Sequence, residues 1–240
     1  MSDTVFHTTL SGNGPLFDDA VPVTVKVNRR AKRIILRVDE ISGDVIATAP
    51  SKAKINDAVK FANEKAAWIK RQRSKRQPAH PFVAGRVFPF CGNPVRIVLN
   101  GGPRQPANLH NGQLEIGGDA EHVNRRVTEW LKRKARSYLS EKVDHYTERL
   151  GAKHGPIRIK DTRSRWGSCA SDGTIAFSWR IIMAPRPIID YVAAHECAHL
   201  IHMNHSPAFW QLVESLDVDA GAAREWFNRH GTSLFVWGAI

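Results

Sequence analysis

Hydrophobic residues recur with two different periods along the chain, and the changes of period predict its secondary structure. Between residues 21 and 50, apolar and polar positions alternate, which is typical of strands with one buried face. Over residues 51–76 the apolar spacing changes to three or four, which predicts a helix that Pro78 ends. A second strand-like stretch then continues to about residue 118.

The second half of the chain has mostly the helical period. Residues 121–150 predict a long helix, and Gly151 is suited to end it because glycine adopts the left-handed conformation without strain. The remaining predicted elements are, in order, a strand at 157–161, a hairpin at 166–179 that turns at 171–173, and helices at 188–202, from 207 and at 220–230.

Together these elements predict an α+β chain with three parts. Residues 1–20 are polar and contain glycine, as a flexible tail does. A basic, β-rich region with one helix is expected over 21–118, and a mostly helical region with a small antiparallel sheet over 119–240. At 240 residues the chain is long enough to bury a substantial core.

Charge is distributed unevenly between the two halves of the chain. Residues 1–150 hold 26 lysine and arginine residues against 15 acidic ones, a balance of +11, whereas 151–240 hold 9 against 8, a balance of +1. Such a basic region can contact an anionic partner, so nucleic-acid binding is one hypothesis. The other is solvated surface, because charge runs on helices usually have no partner. No defined nucleic-acid-binding motif accompanies the charge.

Three further features bear on the cellular setting. No run of about 18 apolar residues is present, so the sequence predicts no membrane span. The first residues lack the basic start and apolar segment of a secretory signal. The three cysteines are far apart and odd in number, so they do not suggest a disulfide framework. These features favour a cytoplasmic, reducing compartment.

A histidine-rich segment carries the strongest chemical signal. His195 and His199 are four residues apart, so on a helix both rings lie on one face and can bind one ion at the 2.0–2.1 Å typical of zinc. Glu196 lies about 100° round the helix from the first histidine, where it can miss the ion yet reach a water molecule beside it. A carboxylate in that position can act as a general base.

Several residues are candidates for a third ligand. His202 shares the helix face but lies about 10 Å along the axis from His195, which is too far for both to bind one ion on a straight helix. Cys169 would close the site into a structural one, although a buried free thiol is commoner. Glu214 and Glu225 are also possible ligands, although exposed helix charges are more usual.

His205 is the candidate that the local turn signals favour. Asn204 tolerates the left-handed conformation used after helix ends, Ser206 is a good N-cap, and Pro207 fits the first position of a new helix. The resulting corner can return the His205 ring to the ion. Three protein ligands would leave the fourth zinc position open for water, as in catalytic sites.

Several segments of the chain also resemble the YgjP-like zinc metallopeptidases, relatives of the SprT-like and WLM-type proteases. The segments are SRWGSC, the following AP, IIDYVAAHECAHLIHMNHSPAFW, and in the front half AAWIKRQR and FPFCGNPVRIV. The resemblance implies a zincin-like metallopeptidase domain over 119–240, with His195, His199 and His205 as zinc ligands and Glu196 as general base. The histidine spacing also matches that of the metzincins, in which a glycine replaces His202.

The sequence therefore predicts a cytoplasmic zinc metallopeptidase that binds one Zn²⁺ and cleaves peptide or protein substrates. The hairpin at 166–179 either offers an edge strand to an extended substrate or simply covers the active-site helix. Tyr191 either reaches a reaction intermediate or packs as an ordinary aromatic residue. The alternative function is a basic nucleic-acid-binding protein in which a structural zinc holds the C-terminal helices together.

Overall fold

The chain forms two compact units, Met1–Pro78 and Ala79–Ile240, in a computed structural model. Each unit contains its own cluster of buried hydrophobic residues. No helix in the described part of the chain is both long and apolar enough to cross a membrane. The described residues are 5–10 (backbone only), 21–39, 42–74, 78–102, 105–162 and 165–238.

The first unit packs two short helices on a four-stranded sheet. Alternation along the strands buries Val23 and Val25 on the face that meets Ala58 and Ala62 of the first helix. The predicted helix over 51–76 is divided in two, because the backbone at Lys65 has a ψ of 14° and interrupts the helix. The elements are β1 (Val5–Leu10), β2 (Val21–Val27), β3 (Ile35–Val38) and β4 (Val45–Ala49) in sheet order β1-β2-β4-β3, a 3₁₀ turn (Lys52–Lys54), α1 (Ile55–Glu64) and α2 (Ala66–Ser74).

The second unit contains two small sheets. The first has the order β5-β6-β8-β7, with β5 (Val87–Phe90), β6 (Asn93–Leu99), β7 (Asn108–His110) and β8 (Gln113–Ile116). The second has the order β10-β11-β9, with β9 (Ile157–Lys160), β10 (Gly167–Cys169) and β11 (Ile175–Ser178). Strand β11 is antiparallel to β10 and parallel to β9, so the small sheet that the sequence predicted to be antiparallel is mixed. Strand β10 lies at its edge.

Helices fill the rest of the second unit. Gly151 ends the long helix α3 with a φ of 60°, which confirms the predicted stop. The turn of the β10–β11 hairpin also lies where it was predicted, with Gly173 at a φ of 77°. The helical elements are 3₁₀ turns at Ala120–His122 and Trp179–Met183, α3 (Val123–Leu150), α4 (Arg186–Ala198), α5 (Pro207–Glu214), α6 (Ala220–Trp226), a π-helical turn (Phe227–Gly231) and α7 (Thr232–Leu234).

The hydrophobic core of the second unit joins both of its sheets to its helices. Phe88, Ile97 and Leu114 of the β5–β8 sheet belong to the same buried cluster as Leu131 of α3 and Phe177 of β11. The boundary predicted after residue 118 therefore falls inside this unit, whereas the compact units divide after residue 78. The fold is mixed α and β with several small sheets, as the α+β prediction requires in outline.

Candidate metal centre

Three imidazole rings converge at the C-terminal end of α4. His195, His199 and His205 each offer a nitrogen that lies within 4.8 Å of the others, and the Nε2 atoms of His195 and His205 are 3.2 Å apart. Two nitrogens bound to one tetrahedral zinc at 2.0–2.1 Å would be separated by about 3.4 Å, so the donor set fits one ion. No carboxylate or thiol from the described residues joins this group.

The chain reverses direction earlier than the sequence predicts. Helix α4 ends at Ala198, and its last turn tightens as the Leu200 N–H donates to the Cys197 carbonyl at 3.0 Å. The left-handed turn predicted at Asn204 is wrong, because that residue is not among the described ones with positive φ. The reversal is instead spread over the whole segment from 199 to 206, so no residue there needs the left-handed conformation.

Helix α5 packs against the three rings. As predicted, its first residue is Pro207, and the Ser206 hydroxyl accepts a bond from the Phe209 N–H at 3.4 Å. The buried Phe209 ring lies 4.5–5.0 Å, between ring centroids, from all three imidazoles. The exposed ring of His205 is also stacked on Trp210, with 5.5 Å between centroids. This packing holds the third histidine beside the other two.

His202 contributes its backbone to the centre, and its ring lies outside the group. The His202 carbonyl is 3.0 Å from Nδ1 of His199, which therefore donates to it and leaves Nε2 free to bind an ion. The Tyr191 hydroxyl lies 3.5 Å from Nδ1 of His195, in the equivalent position for that ring. Both contacts lie behind the ligand nitrogens, where they orient the rings.

Burial favours the neutral form of His195 and His199. Burial, and to a smaller extent the neighbouring His199 and His205, lower the pKa of His195 to about 4. Burial also lowers the pKa of His199. Because an imidazole binds a metal only through an unprotonated nitrogen, these two rings are available as ligands at neutral pH.

The Glu196 carboxyl is buried between α4 and the edge strand β10. A Cβ atom on Gly167 would lie only 2.4 Å from Glu196 Oε1, so the carboxylate fills the space that a side chain at 167 would need. Burial raises the pKa of Glu196 to about 7, against the opposing effects of the Arg165 charge and of a hydrogen bond from the Cys169 backbone. A carboxyl held in this way can exchange a proton near neutral pH.

A cleft of about 180 Å³ opens beside the histidines and the glutamate. Most of its wall is formed by aromatic or apolar residues. The residues that line it are Trp166, Gly167, Tyr191, Val192, His195, Glu196 and Phe227.

The other candidate ligands lie outside the histidine group. Burial raises the pKa of the Cys169 thiol to about 11, so this thiol stays protonated at neutral pH. Cys197, a further thiol near the group, is turned away from it, with its Sγ 3.9 Å from the Val143 carbonyl oxygen in α3. Glu214 is exposed, and Glu225 forms an ion pair with a neighbouring arginine of its own helical segment. The predicted set of His195, His199 and His205 is thus the one that the fold brings together.

Two residues near the centre did not emerge from the sequence. Gly167 had a usable signal, because a glycine within a predicted strand often marks a close approach of another group to the backbone. Arg224 had none. Its guanidinium lies over the Trp210 ring, 4.2 Å from the centroid, and its charge opposes the rise in the pKa of Tyr191 that burial causes.

Comparison with known proteins identifies both the class and the family of this protein. Residues 32–230 match the metallopeptidase domain model of the YgjP-like family, so the protein is a metallopeptidase, a hydrolase that requires a metal ion and acts on peptides. The chain belongs to the YgjP-like family, as its motifs predicted. Neither this match nor the described part of the structure supports contact with nucleic acid.

A solved structure shows a weaker likeness. It is that of the metallopeptidase zymogen abylysin from Pyrococcus abyssi, with 25% sequence identity and a TM-score of 0.35. The similarity covers 40% of this chain and 94% of that one. No curated protein sequence matches the chain.

Proposed function

We propose that this metallopeptidase is zinc-dependent, with one Zn²⁺ held by His195, His199 and His205 and with Glu196 as general base. The observation that carries the proposal is the convergence of three imidazoles beside one buried carboxyl. Imidazole nitrogens suit zinc, and three protein ligands leave a position for water. In this proposal residues 119–240 contain the zincin-like catalytic region.

In peptide hydrolysis the bound ion and the residues of the chain would have different roles. When bound, zinc supplies Lewis-acid activation of water and of the scissile carbonyl. Glu196 accepts a proton from the attacking water on its carboxylate, and then donates that proton to the leaving amine nitrogen as the C–N bond breaks. The Cys169 backbone holds the carboxyl by a hydrogen bond, and the absence of a side chain at Gly167 leaves room for it.

The edge strand β10 suits an extended peptide. The Trp166 carbonyl accepts from the Ser178 N–H, and the Ala170 N–H donates to the Thr174 carbonyl, both at 2.9 Å. These bonds direct alternate backbone groups toward β11, so the backbone groups of Gly167 between them point to the free edge. A substrate strand added at that edge would run beside the general base.

Removal and return of the metal test the zinc dependence. We expect the purified protein to hydrolyse casein or a fluorogenic peptide, to lose this activity in a chelator and to regain it with one equivalent of Zn²⁺. Mg²⁺ should not restore it, because three imidazoles are poor ligands for that ion. Peptide hydrolysis that persists after the chelator has removed all bound metal would refute the proposal.

Gly167→Ala tests how the general base is held. The new methyl group needs the space of the Glu196 carboxyl, so the carboxyl must move, and a displacement of about 1 Å can reduce turnover roughly 100-fold. We expect kcat for a fluorogenic peptide to fall by that order while the zinc content stays the same. Gly102→Ala is the control, because an added Cβ there meets no atom within 4 Å. Equal kcat in both variants would contradict the role of this contact.

A further inference from the structure

A cationic pocket lies on the sheet that contains the edge strand. Its volume is about 260 Å³, and it is lined by Lys160, Thr162, Arg165, Ser168, Ala176 and Phe177. The two cations are exposed, and within the described part of the chain neither has a carboxylate within 4.0 Å. The pocket therefore carries positive charge that no ion pair among the described residues neutralises, although the Arg165 charge also acts on Glu196.

The strand register places this pocket and the general base on opposite faces of β10. Ser168 pairs with Ala176 of β11, and both line the pocket. Because successive side chains of a strand point to opposite faces, Gly167 and Cys169 face the other way. That other face contacts Glu196. A single strand thus separates the catalytic cleft from the pocket.

An extended peptide paired with the free edge of β10 would share this alternation. One of its side chains would point into the cleft of the metal centre, and the next would point toward the sheet face on which the pocket lies. On that face Ser168 of β10 is nearest to the free edge, and Lys160 lies two strands further away, on β9. The pocket is smaller than the 300–1,000 Å³ typical of sites for small molecules, which favours a single side chain as occupant. Two cations and the hydroxyls of Thr162 and Ser168 can all donate to a carboxylate.

We propose that this pocket is a specificity subsite for an acidic side chain, aspartate or glutamate, of an extended peptide substrate. The inference rests on the proposed function, because it takes β10 as the strand that binds substrate. The net charge of +12 favours the same class of peptide, since it attracts acidic chains from solution.

The test is a position scan with a neutral fluorogenic peptide. Glutamate replaces glutamine at each position in turn, and kcat/KM is measured for every pair. We expect about a tenfold gain at one position, or at two positions separated by a single residue, because only alternate side chains face the pocket. Lys160→Gln should reduce that gain about threefold. The double variant Lys160→Glu with Arg165→Glu should reverse the preference toward a lysine-containing peptide.

Arg158→Gln is the matched control. Arg158 is an exposed cation of the same strand and the same face as Lys160, but it does not line the pocket. Its removal changes the net charge equally and should leave the preference for glutamate unchanged. Lys160 is a cleaner site of mutation than Arg165, whose charge also acts on Glu196. A preference that falls equally in the Lys160 and Arg158 variants would reflect general attraction and overturn the subsite.

Binding to the Glu196→Gln variant separates this inference from the proposed function. Fluorescence anisotropy measures binding of the labelled glutamate and glutamine peptides without turnover. If the wild type cleaves peptides but never prefers glutamate, the subsite is refuted while the peptidase stands. If the wild type cleaves none, the peptidase proposal fails, and binding decides the subsite. The subsite is supported if the glutamate peptide binds more strongly than the glutamine peptide and if Lys160→Gln weakens this difference. Equal binding of both peptides overturns the subsite.

Discussion

Replacing Glu196 by glutamine should reduce peptide hydrolysis by at least two orders of magnitude and leave the metal in place. The amide is nearly isosteric with the carboxyl but cannot accept a proton from water, and general acid–base groups contribute roughly 10²- to 10⁴-fold to turnover. We therefore expect kcat to fall by that factor. Glu196 is absent from the group of nitrogens that would bind the ion, so the zinc content by elemental analysis should equal that of the wild type.

Glu214→Gln provides the control for this experiment. It makes the same chemical change at an exposed glutamate of α5, which is one of the ligands considered from the sequence alone. Its kcat and zinc content should both match the wild type. A kcat in Glu196→Gln that stays within about tenfold of the wild type would refute the general-base assignment. A loss of zinc in Glu214→Gln would instead indicate that the third ligand is a carboxylate.

Replacing His205 by alanine should release the metal. Loss of an outer contact to a metal ligand typically weakens affinity 10- to 100-fold, so loss of a ligand itself should exceed about 100-fold. The effect should be visible as a weaker Zn²⁺ affinity in competition with a chelating dye. Activity should fall in proportion to the occupancy of the site at a fixed zinc concentration.

His202→Ala is the matched control for the third ligand. The His202 ring lies outside the group of imidazoles, and the carbonyl that accepts from His199 is retained in alanine. Zn²⁺ affinity should therefore stay within a few-fold of the wild type, an effect smaller than that of a lost outer contact. Equal losses of affinity in the two variants would remove the distinction between the two histidines, and with it the proposed ligand set.

Local signals in the sequence predict the local features of the centre. Ser206 and Pro207 mark the start of α5 because capping and the fixed φ of proline depend only on neighbouring residues. The spacing of His195 and His199 likewise predicts their shared face. The end of α4 and the conformation of Asn204 could not be predicted in the same way, because the last helical turn tightens over a corner that α5 packs against.

Contacts between distant segments could not be predicted from the sequence patterns. Phe88 and Leu114 share a core with Phe177, more than fifty residues later in the chain, and no pattern in the sequence predicts this packing. The contact between Gly167 and Glu196 also joins two separate elements. Patterns of period and capping describe one element at a time, so such pairings depend on the packed fold.

The brevity of β10 has a consequence for association between molecules. An exposed sheet edge can act as a template on which further chains add strand by strand, and short edge strands limit this growth. At three residues, from Gly167 to Cys169, the strand spans only about 10 Å, and a tight turn follows it directly. So short an edge is therefore a poor template for fibril-like aggregation.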